Sequence, residues 1–175
     1  MRRWQLVLFA LAFITAMIFV IPVFVRDARQ RQFDAAQRIV ESHGGQLSFD
    51  LVDGNYMLDL SGDAASDATI QKLMPTLKDL PTGFTLLGPG ESRQFWLNLN
   101  GESLTDAGLD LLCDLEISWM TLAGGSITDT SAARLSSADE LHGIILNNVK
   151  LSESAVAALR ASKPNAMVEI NGASE

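Results

Sequence analysis

Between residues 46 and 172, four hydroxyl residues are each followed directly by an acid, and these pairs are the residues best suited to chemistry. They are Ser66-Asp67, Thr105-Asp106, Thr128-Asp129 and Ser152-Glu153. A carboxylate can act as a general acid or base, and several carboxylates that converge can hold calcium. One acid per helix start does not converge on a single point, however. A hydroxyl residue before an acid also caps a helix, so the four hydroxyls are predicted to be structural caps.

A second set of residues has the types found in a hydrolase triad. Ser137, Asp139 and His142 all lie in "LSSADELHG", a predicted helix-to-strand connection in which polar residues are expected. The single cysteine, Cys113, lies in the apolar segment "LDLLCDL" and is predicted to be a packing residue. The sequence contains no phosphate-binding loop, zinc-protease motif or nucleophile elbow. We therefore predict no enzymatic activity, no metal and no cofactor.

The pairs recur with the same neighbours, and these neighbours predict the elements that position them. Counted from each hydroxyl, the residue at +7 is always leucine, the residue at −6 is always leucine, and the residue at −8 is Leu, Met or Ile. Residues two apart on a strand point to the same side, so −8 and −6 are predicted to be buried. Glycine or asparagine at −4 permits a tight turn before the capped helix. The pattern indicates strand-turn-helix units in the α/β class.

The recurring segments resemble the repeats of leucine-rich-repeat proteins, near the cysteine-containing subtype. They are "LNLNGESLTDAGLDLL", "MTLAGGSITDTSAARL" and "MLDLSGDAASDATIQKL". The ending "LRASKPNAMVEI" resembles that of membrane-anchored bacterial members. The last three units follow at intervals typical of such repeats, which are roughly 20–29 residues long. The resemblance implies a short leucine-rich-repeat solenoid that binds other proteins and has no catalytic residues.

The predicted solenoid covers residues 46–172, with repeats near 57–80, 95–119, 120–143 and 144–170. Alternating residues on both sides of Asp53-Gly54 predict a hairpin, which would cap the N-terminal end of the solenoid. Residues 81–94 are either a degenerate repeat or an inserted hairpin. The segment "MVEI", residues 167–170, would close the other end, and residues 173–175 would be a tail.

The first twenty-five residues are predicted to be a signal anchor. Residues 6–25 carry no charge, and an α-helix of that length crosses a hydrocarbon core of about 30 Å. Residues 26–45 are predicted to form a juxtamembrane helix that ends at Gly44-Gly45. Counting basic residues favours a cytoplasmic body, whereas the very short basic tail favours an exported one. We predict a single-pass membrane protein with its body on the exported side.

The charge distribution excludes some partners. The net charge is −8, and residues 51–175 carry 7 basic and 17 acidic residues. Nucleic-acid binding requires clustered basic residues, so it is not expected. Nothing in the sequence implies a small-molecule ligand.

Candidate binding residues lie at −9 and −7 of each unit, on the strand face opposite the leucines. Trp96 and Trp119 occupy the same column and should be neighbours on an exposed face, where aromatic residues often anchor a protein partner. The candidates are Trp96, Asn98, Trp119, Thr121 and Ile145. The alternative is that both tryptophans lie under segment 84–95 or under the anchor helix. The predicted function is protein–protein interaction. The alternatives are a structural or self-assembling envelope protein without a specific ligand and, less favoured, an enzyme or metal-dependent binder.

Overall fold

A computed structural model describes residues 27–50, 52–82, 84–85, 88–89 and 93–172. The chain divides into two units, Met1–Ala35 and Ala36–Glu175. In the first unit the described residues 27–35 are helical. The second unit begins with helical residues 36–42, called α1, and contains all of the strands described below.

Strands and helices alternate along most of the second unit. The strands are β1 (Gln46–Phe49), β2 (Tyr56–Ser61), β3 (Phe84–Thr85), β4 (Gly88–Pro89), β5 (Gln94–Asn100), β6 (Glu116–Ala123), β7 (Gly143–Asn147) and β8 (Met167–Asn171). The helices that follow α1 are α2 (Asp67–Lys78), α3 (Asp106–Leu112), α4 (Asp129–Ser136) and α5 (Glu153–Ser162). A short 3-10 turn, Gly62–Ala64, precedes α2.

Six of these strands form one mixed sheet in the order β1-β2-β5-β6-β7-β8. β1 is antiparallel to β2, and every other neighbouring pair is parallel. The described residues between α2 and β5 contribute no strand to this sheet, because β3 and β4 pair with each other as a separate two-stranded sheet. Both strands lie within residues 81–94, for which the degenerate repeat and the inserted hairpin stay alternative predictions.

The core lies between one face of the sheet and helices α2 to α5. Two apolar columns run across the parallel strands, because residues at −8 and −6 of each unit pair in register. Their members are buried, and so are the leucines at +7 on the helices: Leu58, Leu60, Leu97, Leu99, Met120, Leu122, Ile144, Leu146, Leu73, Leu112, Leu135 and Leu159. The columns continue on β8 as Val168 and Ile170, which are only half-buried at the edge of the sheet.

The four hydroxyl residues begin the helices that follow the strands. Ser66, Thr105, Thr128 and Ser152 precede α2, α3, α4 and α5, and each side chain accepts a hydrogen bond from a backbone N–H of the first turn. A hydroxyl in this position satisfies a donor that the helix itself cannot pair. The local sequence therefore specifies where each helix starts.

The prediction of a short leucine-rich-repeat solenoid with an N-terminal hairpin cap is wrong. The strands form one mixed six-stranded sheet, and the hairpin is an edge of that sheet rather than a cap on its end. β2 pairs with β5 through six residues, from Tyr56↔Phe95 to Ser61↔Asn100. Alternation identifies the buried side of a strand but not its neighbour, so the sequence did not show that β2 pairs directly with β5.

The predicted single-pass membrane localisation is also corrected. Among the described residues, no helix is both long enough and apolar enough to cross a membrane. Residues 6–25, to which the sequence assigns the span, lie outside the described residues, and so do residues 173–175 of the predicted tail. Within the predicted juxtamembrane segment the helix ends at residue 42, and Gly44 follows with a positive φ of 82°.

Candidate binding face of the sheet

Two rows of side chains lie on the face of the sheet opposite the core. We call the surface formed by these two rows the open face. Strand pairing places these residues side by side. The first row is Ser48, Met57, Trp96, Trp119, Gly143 and Met167, and the second row is Gln46, Asp59, Asn98, Thr121, Ile145 and Glu169. The open face thus brings together all five candidate binding residues of the sequence: Trp96, Asn98, Trp119, Thr121 and Ile145.

A bulge in β6 directly precedes Trp119. Phe95 pairs with Ile117, whereas Trp96 pairs with Trp119, so Ser118 is an extra residue on β6. Ser118 is 5% exposed and its hydroxyl donates to the Phe95 carbonyl at 3.4 Å. With the extra residue, the side chains on both sides of Ser118-Trp119 remain buried while Trp119 points outward. The buried residues on the two sides of the bulge are separated by an odd number of positions, and this spacing was the sequence signal for the bulge.

Trp119 is supported by a glycine on the next strand. Gly143 pairs with Trp119, and a Cβ atom added to Gly143 would overlap the indole ring. The ring therefore lies directly against the β7 backbone, which explains why the first row has no side chain on β7. Both Trp96 and Trp119 are half-buried. The alternative that segment 84–95 or the anchor helix covers both tryptophans stays a prediction, because residues 86–87 and 90–92 and residues 1–26 lie outside the described residues.

The second row contains a carboxylate held in a fixed orientation. Asn98 donates from Nδ2 to Oδ2 of Asp59 at 2.8 Å, and Ser61 donates from Oγ to Oδ1 of Asp59 at 2.9 Å. A carboxylate offers about four lone-pair sites, so acceptor capacity remains. Asp59 takes part in none of the ion pairs among the described residues.

A groove of about 790 Å³ lies over the part of the open face nearest β1. Its floor is formed by strands β1, β2, β5 and β6, and the α1 residues Gln37 and Glu41 stand at its side. The side chains that can meet a ligand are Gln37, Glu41, Gln46, Ser48, Met57, Asp59, Trp96, Asn98, Trp119 and Thr121. Met57 is 42% exposed, although large apolar side chains are usually covered. Ile145 lies on the open face beyond this groove.

The acids of the four pairs have a role that the sequence reasoning missed, since three of them bind the start of the next helix. Asp67 at the start of α2 accepts from the Thr105 amide at 2.9 Å, from the Thr105 hydroxyl at 2.5 Å and from the Gly108 amide at 3.1 Å. A Cβ atom on Gly108 would overlap the Asp67 carboxylate. The glycine in "TDAGL" is therefore required by the neighbouring helix.

The same contact recurs along the row of helices. Asp106 accepts from the Thr128 amide at 2.8 Å, from the Thr128 hydroxyl at 2.5 Å and from the Ser131 hydroxyl. Asp129 accepts from the Ser152 amide at 2.9 Å. We call Asp67, Asp106 and Asp129 with their partners the acid ladder. Among the described residues no helix follows α5, so Glu153 has no cap to bind and ends the ladder.

Hydrogen bonds lower the pKa of two of the ladder carboxylates, Asp106 and Asp129. Partial burial alone would raise the pKa of Asp106, but the hydroxyls of Ser131 and Thr128 and the Thr128 amide outweigh it and lower that pKa below its ordinary value. The hydroxyl and the amide of Ser152 lower the pKa of Asp129. A carboxylate already bound by donors of the next helix is a poor general base. The ladder is therefore a structural feature rather than a catalytic one.

The remaining candidates for chemistry do not assemble. The Ser137 hydroxyl donates to the Arg134 carbonyl at 2.7 Å, and no hydrogen bond joins Ser137, Asp139 and His142. Burial raises the pKa of the Cys113 thiol to about 11, so the reactive thiolate is scarce at neutral pH. The open face is thus the strongest candidate site.

Comparison of the chain with protein-family models, with curated proteins and with solved structures finds no match. Membership of the leucine-rich-repeat family therefore stays a prediction from the sequence motifs. The chemistry of the open face is what bears on function.

Proposed function

We propose that this chain is a non-enzymatic protein-binding module, and that the open face holds a segment of a partner protein. The observation that carries the proposal is the position of Trp96 and Trp119. They are neighbours in register on adjacent strands, half-buried, at the floor of a groove. Tryptophan is enriched among the residues that contribute most to protein binding, and such residues cluster where water is excluded on contact.

The shape of the groove favours a peptide segment over a small molecule. Small-molecule pockets bury most of the ligand surface, whereas one face of a sheet can cover only one side of a ligand. Four strands with a spacing of about 4.8 Å give a floor roughly 14 Å across, which is the length of about four extended residues. The mixture of apolar anchors and polar neighbours is typical of a protein interface.

The proposal can be tested by photo-crosslinking in the cells that make the protein. A photoreactive phenylalanine derivative at Thr121 should give a discrete adduct with another protein. The same residue at Asp110, exposed on helix α3, should not. Identification of the adduct by mass spectrometry names the partner.

The adduct should disappear when Trp96 and Trp119 are both changed to alanine. Val52→Ala is the matched control, because Val52 is apolar, 69% exposed and does not line the groove. Melting temperatures of all variants show whether the fold is retained. An adduct that survives the tryptophan changes would contradict the proposal, and an adduct of the chain with itself would favour self-assembly instead.

A further inference from the structure

The charges around the groove show what kind of segment the open face would select. Among the described residues that line it are two carboxylates, Glu41 and Asp59, and no lysine or arginine. Neither carboxylate takes part in any of the ion pairs among the described residues. The second unit as a whole is acidic, and its long-range field attracts cations. The groove is therefore electrostatically complementary to a basic ligand.

The tryptophans and the carboxylates are placed to act on the same cation. Met57 pairs with Trp96, and Asp59 stands two residues further along β2, on the same face. Strand spacing and rise put the Cα atoms of Trp96 and Asp59 roughly 8 Å apart. A planar cation over the Trp96 ring can reach the carboxylate at that distance. Indole is the aromatic side chain that binds cations best.

The orientation of Asp59 favours arginine over lysine. Asn98 and Ser61 fix its two oxygens, so the carboxylate presents a set plane rather than a freely rotating charge. Guanidinium matches a carboxylate with two parallel hydrogen bonds and also stacks on aromatic rings. Ammonium has neither property, since it acts as a compact and strongly hydrated charge.

We propose that the open face binds an arginine-containing segment of a partner protein, with one guanidinium stacked on Trp96 and paired with Asp59, and with Glu41 adding attraction from α1. This inference rests on the proposed function, because it specifies the chemistry of the partner at the same groove.

The test uses the purified full chain and a display library of random twelve-residue peptides. Selected peptides should contain a shared arginine. Replacing that arginine by citrulline, which keeps the shape but removes the charge, should weaken binding at least tenfold by fluorescence polarisation. Lysine at the same place should weaken binding less than citrulline. Raising the salt concentration should weaken the arginine peptide and leave the citrulline peptide nearly unchanged.

Variants of the chain separate the inference from the proposed function. Asp59→Asn should weaken the arginine peptide about tenfold and leave the citrulline peptide unchanged. Glu41→Gln, on an exposed helical position, is a second variant that does not depend on the Asp59 network. It should weaken the arginine peptide severalfold. Glu140→Gln is the control, because it removes the same charge from an exposed residue outside the groove.

The outcomes are distinguishable. Peptides without a basic residue, or arginine peptides whose affinity neither Asp59→Asn nor Glu41→Gln changes, would overturn the inference. The proposed function would stand in that case if binding still required Trp96 and Trp119. A library that gives no peptide dependent on these tryptophans would overturn both.

Discussion

Replacement of Asp106 by alanine tests whether the acid of one helix holds the start of the next. The change removes the acceptor of the Thr128 amide, of the Thr128 hydroxyl and of the Ser131 hydroxyl. Ser131 is 2% exposed, so water cannot replace the carboxylate there. A buried donor left without a partner costs about 1–3 kcal/mol. Thr128 is exposed, and water compensates for most of its loss.

Asp106 also contributes as a charge in the first turn of α3, which is worth about 0.3–1 kcal/mol. Together these losses predict a decrease of about 1–4 kcal/mol in the free energy of unfolding. The structure offers a control for the helix-dipole part alone. Glu153 occupies the same position in the first turn of α5 but has no following helix to bind. Glu153→Ala should therefore cost only about 0.3–1 kcal/mol.

A second control is Asp110→Ala on the same helix. The side chain of Asp110 is 67% exposed and pairs with Arg134, and exposed ion pairs contribute about 0–1 kcal/mol. The free energies of unfolding of all three variants can be measured by urea denaturation at pH 7, followed by far-ultraviolet circular dichroism. If Asp106→Ala is no more destabilising than Glu153→Ala, the acid ladder has no energetic role and the reasoning is refuted.

Three further predictions follow from the same contacts. Gly108→Ala should lower the urea midpoint by the equivalent of about 1–3 kcal/mol, because the added methyl group overlaps Asp67. In a helix without such a neighbour, glycine to alanine is stabilising. A raised midpoint would therefore contradict the contact. Because the pKa of Asp106 is lowered in the folded state, its stabilisation is present above the unfolded pKa of about 3.9 and is lost as pH falls through the lower folded pKa. When the pH falls from neutral to below about 4, the free energy of unfolding of the Asp106→Asn variant should therefore decrease less than that of the natural chain. Equal decreases in the two proteins would contradict the prediction. Gly143→Ala should displace Trp119 and shift its emission to longer wavelength in a chain with its other tryptophans changed to phenylalanine, and unchanged emission would show that the ring does not rest on β7.

Local patterns in the sequence predict much of the second unit. The hydroxyl-acid pairs mark the starts of α2 to α5, since a cap depends on residues only two or three apart. The spacing of the leucines predicts the buried side of each strand. The residues that alternate with the leucines are predicted to lie on the opposite face, and Trp96 and Trp119 share that face. The same patterns gave the wrong architecture, because nothing local shows that β2 pairs directly with β5 across a long intervening segment.

The candidate site shows the same division. The identities of Trp96, Asn98, Trp119, Thr121 and Ile145 could be read from their columns. The groove could not, because it needs Glu41 from α1 beside strands that come later in the chain. The orientation of Asp59 could not be predicted either, since its Asn98 partner is 39 residues away.

The sequence by itself determined which residues start helices, which strand side chains face the core, and that the body of the chain is acidic. These properties depend on a period of two residues in a strand, on a cap within one helical turn, and on simple composition. The tertiary structure alone decided that β2 pairs with β5, that Ser118 forms a bulge, that Trp119 lies on Gly143, and that each ladder acid binds the next helix. Each of these contacts joins residues brought together only when the strands pair, such as Asp67 and Thr105, which are 38 positions apart. That separation places them beyond the reach of any local pattern.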